Sequence, residues 1–231
     1  MALQENSAVS SPLKSDILVY MHENSILNKQ IALPKIDIKQ ALTVVVLYFI
    51  SAVGLSILIS NDPNWSRWHI SYLGEGQKFS SHFFNASLMI GGVIMGWFTW
   101  LLNGFLRKTA ILSKFRINTI IFLLLVISIS VYMVGMFPLS YGNIPHDIFG
   151  HAIYFATLFL CLASPWLVPG MKRHFYIIPI LMHILTLTIF IMFWTGISSN
   201  MYLAEVTTFI ALVWWIYMLI NPSSRSADKK L

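Results

Sequence analysis

The chain is predicted to be an all-α membrane protein, a six-transmembrane-helix bundle with both termini in the cytoplasm. Three observations lead there: six long apolar runs, no Lys or Arg inside any of them, and thirteen of the fifteen cations in every second gap between them. The runs are 41–60, 82–102, 117–137, 150–169, 176–198 and 203–221, each long enough to cross about 30 Å of hydrocarbon as a helix. Lys14, Lys29, Lys35 and Lys39 precede the first run. Arg107, Lys108, Lys114 and Arg116 separate the second and third, Lys172 and Arg173 the fourth and fifth, and Arg225, Lys229 and Lys230 follow the sixth. Only Arg67 and Lys78 occupy the other gaps. Because cations are retained on the cytoplasmic side, loops 61–81, 138–149 and 199–202 are expected to face out.

Composition supports the same class. At 57% hydrophobic and 10% charged residues, with a mean hydropathy of +0.71, a soluble domain of this size would expose large apolar areas. The formal charge of +6 lies at loop ends, where it orients the chain and can meet anionic headgroups. No basic stripe with interleaved aromatics remains for nucleic acid. The single cysteine, Cys161, falls within the fourth run and can form no intrachain disulfide.

The organisation is a polar tail over 1–40, the six-helix domain over 41–221 and a short tail over 222–231. The first tail lacks the pattern of a cleavable signal peptide, so the first span is expected to be an uncleaved signal anchor. The expected location is the inner (plasma) membrane of a bacterium or an equivalent membrane.

The second span carries a small and polar stripe. Ser81, Asn85, Gly92, Gly96, Thr99 and Asn103 fall within about 60° of one another on a helix, and Gly92 with Gly96 has the spacing that lets two membrane helices approach closely. The stripe suits an intramolecular packing face, a homo-oligomer or a partner helix. Pro165, Pro169 and Pro179 are expected to end or kink the spans that contain them. Segment 61–73 reads as a short interfacial helix with Trp65, Trp68 and Tyr72 on one face, either an aromatic anchor or a lid.

Candidate chemistry concentrates on the same outer side. His69, His82, His146 and His151 lie near that boundary with Asp62, Glu75, Asp147 and Glu205. A helix starting near Pro145 would put Asp147 and His151 on one face, the acid in the first turn where the helix dipole favours it. These two are the candidate catalytic pair for acid/base lipid chemistry. A metal site could draw on His82, His146, His151 and Asp147, although no ligand motif supports it. A bis-histidine haem could use His82 and His151, but no second pair serves the inner face. A polar network that orders the outer loops is equally open. His183 is expected to hydrogen-bond between helices. No span holds the lysine of a retinal protein or the arginine ladder of a voltage sensor, and no nucleophile-elbow, phosphate-loop or dinucleotide fingerprint is present.

Trp65 to Gly74 ending in Ser71-Tyr72-Leu73-Gly74, Phe84-Asn85, Val134-Gly135-Met136-Phe137-Pro138, and His146 with His151 together resemble a prokaryotic multipass family, the domain of unknown function 998. That family is itself distantly similar to the Frag/DRAM/Sfk membrane proteins, some connected with lipid remodelling and autophagy. The resemblance spans roughly 41–221 and rests on Ser71, Gly74, Asn85, Pro138, His146 and His151. It implies six membrane helices with polar groups at the outer face and carries no established reaction.

The leading expectation is a protein that binds or handles a lipid or small amphiphile at an outer-face pocket. Ser71, Asn85, His146, Asp147 and His151 would line it, with Trp68 in the covering segment and membrane lipids as partners. The competing classes are a membrane-embedded hydrolase or transferase, using the Asp–His pair or a metal, and a structural or assembly subunit. No cofactor is required by the sequence.

Overall fold

The computed structural model describes residues 37–63, 69–141, 143–197 and 201–221. The six spans are α1 (Ile38–Ser60), α2 (Phe79–Thr109), α3 (Lys114–Met136), α4 (Asn143–Leu162), α5 (Arg173–Trp194) and α6 (Tyr202–Ile220). All six are long and apolar enough to cross a membrane, and the chain is a multipass membrane protein. Two 3₁₀ turns, Ile70–Gly74 and Leu139–Tyr141, lie between spans at one end, and a one-turn helix, Ser164–Leu167, follows α4 at the other.

Polar punctuation sets the helix ends. Asp37 Oδ1 accepts from the Lys39 N–H at 3.2 Å and caps α1, satisfying a donor that has no partner within the helix. Ser113 caps α3 in the same way, from the Arg116 N–H. The second span extends past its apolar run to Thr109, about 46 Å at helical rise. Arg107 supports the extension, donating to Asn103 Oδ1 and to Asn118 Oδ1 of α3, each at 2.8 Å.

The fourth span differs most from its expected bounds. It begins at Asn143 because Pro145, in the first turn, removes an N–H that has no acceptor there anyway. It stops at Leu162 because Pro165 cannot continue it and instead opens the one-turn helix. Pro179 lies within α5 without ending it.

Packing runs in sequence order from α1 to α4, with α2 and α3 in the most extensive contact. The α5–α6 hairpin packs well internally but touches α4 and α1 lightly. Gly92 allows the α2–α3 approach: a Cβ there would stand 2.8 Å from the Ser128 carbonyl oxygen and 2.7 Å from Tyr132 Cβ. Ser128 Oγ donates to the Gly92 carbonyl at 2.7 Å. This part of the small-residue stripe therefore faces a span of its own chain. The main apolar core, with Phe98, Leu102, Leu106, Ile120, Leu124, Leu160, Leu167, Trp215 and Leu219 fully buried, fills the end of the bundle that carries the basic loops.

Candidate functional site

Where the α5–α6 hairpin packs lightly, a cavity of about 430 Å³ remains, lined by all six spans. Residues at helical spacing on α4 form one wall: Asn143, His146, Asp147, Gly150, His151 and Tyr154 share a face by their period. Ala204, Glu205, Thr208 and Leu212 of α6 do the same opposite. Phe190, Phe193 and Trp194 of α5 close the side, and Phe49, Met95, Ile127 and Val131 form the floor. Its ionisable groups gather at the end away from the basic loops, where His69 and Ser71 join it. The rest is apolar and aromatic, with Tyr154 edge-on to Phe190 at 5.2 Å between ring centres.

The polar end is tied together by backbone acceptors. His146, only 6% exposed, places Nδ1 2.9 Å from the carbonyl of Phe137, the residue that ends α3 and whose carbonyl lacks a helical partner. His151 places Nδ1 2.6 Å from the carbonyl of Asp147. The Asp147 and His151 pair thus shares a face as expected, but its recorded hydrogen bond goes to the main chain. The fourfold spacing that aligns the side chains also brings the ring within reach of the preceding turn's carbonyl.

A second cluster seats the first connection on α6. The Glu205 carboxylate accepts from the N–H of Ile70 and from the N–H and hydroxyl of Ser71. His69 Nδ1 lies 2.8 Å from Ser71 Oγ. That separation is within nucleophile-to-base reach, yet the Ser71 hydroxyl also faces the stronger carboxylate acceptor, so the arrangement straps 69–74 to α6 beside the cavity. Burial pushes the His69 pKa below the ordinary imidazole value; His146 adds to the shift and Asp147 opposes it. Residues of the first connection and of α4 therefore sense one another's charge.

Of the residues expected at the outer pocket, Ser71, His146, Asp147 and His151 line the cavity. Asn85 does not join them: its Nδ2 donates to the Gly74 carbonyl at 2.9 Å, and a Cβ at Gly74 would lie 2.1 Å from Asn85 Oδ1. It is a clasp between α2 and the 3₁₀ turn. His82 is exposed and outside the cavity. Among the described residues no three His, Cys, Asp or Glu converge as metal ligands would, so the four metal candidates are not gathered. Trp68 and Trp65 lie outside the described residues. His183, expected to bond between helices, bonds through Nδ1 to the carbonyl of Pro179 in its own helix at 2.8 Å, and its buried Nε2 has no partner among the described residues.

Glu205 is the residue that sequence reasoning placed in the outer layer without a role. The signal was available: it is the one carboxylate in an otherwise apolar last span, and an ionisable group inside a span is costly unless something answers it. The chain matches no family profile, no curated protein and no solved structure.

Proposed function

We propose that this protein binds an amphiphile in the cavity between α4 and the α5–α6 hairpin, with the tail among the helices and the head at the polar end. The observation that carries this reading is the division of one cavity into an apolar body walled by all six spans and a mouth that holds its ionisable residues. A volume of about 430 Å³ falls within the range of roughly 300–1,000 Å³ typical of small-molecule sites, which are also mostly apolar with a few placed polar groups. His69 and Ser71, the latter held by Glu205, line the polar end, so a head seated there would contact them.

Gly150 offers the test. It lines the cavity, and a Cβ there meets nothing within 4 Å, so a larger side chain enters open space. Gly150→Phe is expected to keep or slightly raise the melting temperature, since glycine costs a helix about 1 kcal/mol relative to alanine. It should also remove the amphiphile that co-purifies with wild type, read by native mass spectrometry. Equal occupancy in variant and wild type, or none in either, overturns the reading.

A further inference from the structure

We infer that the head of the bound amphiphile is a hydrogen-bond donor without negative charge, best met by a primary ammonium, and that phosphate-headed lipids are excluded. This rests on the amphiphile reading above and adds the chemistry of the head. A carbonyl oxygen cannot donate, so the ring nitrogen facing it must carry the proton. His146 meets Phe137 and His151 meets Asp147 in this way, both through Nδ1. In the neutral rings, Nε2 of each is therefore a lone-pair acceptor. His146 and His151 both line the cavity, and His146 is largely buried, so a ligand that donates there can meet these acceptors away from bulk water.

The remaining groups at the mouth point the same way. Asp147 lines it with an exposed carboxylate, and the Glu205 carboxyl stands at the same end, already engaged by Ile70 and Ser71. Among the described residues no Lys or Arg lines the cavity. Lys78, on this side of the bundle, is not in the wall. A phosphate would meet like charge and acceptors, a juxtaposition that opposes binding, whereas an ammonium supplies three donors and makes charge-assisted hydrogen bonds.

The test uses full-length protein in nonionic detergent and four probes with one tail: dodecylamine, dodecyltrimethylammonium, dodecanol and dodecyl phosphate. Affinity is read from the ligand-dependent rise in melting temperature. Dodecylamine is expected to bind about tenfold or more tighter than dodecyl phosphate, with the other two between them. Asp147→Asn should narrow the preference for the amine over dodecanol, because the charge is lost, and Gly150→Phe should weaken all four. Equal binding of the trimethylammonium and the amine overturns the donor assignment, because the former has charge without N–H. Phosphate binding as tight as the amine's, still lost in Gly150→Phe, overturns the head chemistry and leaves the cavity reading standing. Failure of all four probes, or insensitivity to Gly150→Phe, overturns both.

Discussion

The two halves of this bundle bury different chemistry. Toward the basic loops the buried residues are large and apolar, with Phe98, Leu102, Leu106, Leu124, Leu160 and Trp215 meeting in one cluster. Toward the other end Leu73, Phe84, Val134 and Tyr154 are buried among many small or polar residues: Ser81, Ser87, Gly91, Gly92, Ser128, Ser130, His146, Ala204 and Thr208. Within a bilayer, lipid tails compete on equal terms for apolar side chains, so helix association depends on close contact and on hydrogen bonds. The first half obtains contact by interlocking bulk. The second obtains it by bringing backbones together at glycine and serine between α2 and α3, and it leaves a cavity where α4 meets the α5–α6 hairpin. Scaffold and site are thereby separated along the membrane normal.

The sharpest way to break this comparison is to remove one large ring from each half. Phe98→Ala empties space in the closed half, where Phe98 is fully buried, and should cost about 3–5 kcal/mol. Phe190→Ala removes a ring that already faces open volume, so the loss should be limited to its contacts with Tyr154 and His151, about 0.5–1.5 kcal/mol. Thermal unfolding of both variants in the same detergent decides the matter. Similar losses would mean that the cavity wall is as much a part of the scaffold as the core.

This division explains how much could be read from the sequence. Apolar runs and alternating cations are properties of the chain alone, and they yield six spans in order. The ends of α4 depended on whether Pro145 starts a helix or interrupts one, which hydropathy does not record. The polar reach of α2 to Thr109 depended on Arg107 finding Asn118 on another span. At the site, His146, Asp147 and His151 were legible because one helical face holds them. Asn85 shares their depth, but α2 turns it toward Gly74, a rotation fixed by glycine contacts with α3. Glu205 and Ile70 are 135 residues apart, and no local pattern pairs them.

A smaller effect separates the two glycines of the α2 stripe and sharpens the account of the open half. An alanine at Gly92 would press its Cβ against the backbone of Ser128 and Tyr132 at 2.8 Å, and backbone can yield only by moving a helix. Gly92→Ala should therefore cost about 1–3 kcal/mol. At Gly96 the Cβ would meet only Ser128 Oγ, at 3.1 Å, and that hydroxyl can give way, so Gly96→Ala should fall within about 0.5 kcal/mol of wild type. Equal effects in a thermal unfolding assay would show that backbone approach at Gly92 is not what holds α2 to α3.

The smallest expected effect lies at the strap beside the cavity and is read as a function of pH. His69 has its pKa lowered in the folded protein, first by burial and then by His146, with Asp147 acting in the opposite direction. Glu205 reaches it through Ser71, and the Tyr72 ring stands edge-on 6.2 Å away. A lowered value means that the unfolded chain binds the proton more readily than the folded one. The contribution of His69 to stability is therefore complete above the ordinary imidazole value of 6.5 and declines as pH falls below it toward the folded value. Melting temperature measured across this window should fall on acidification in wild type and fall less in His69→Gln, which keeps a group able to hydrogen-bond Ser71 but cannot take up the proton. The two proteins differ at this one side chain, so the difference between the two curves reports on His69. Superimposable curves would show that charging this ring leaves the strap in place, and that the seating of 69–74 on α6 rests on Glu205 alone.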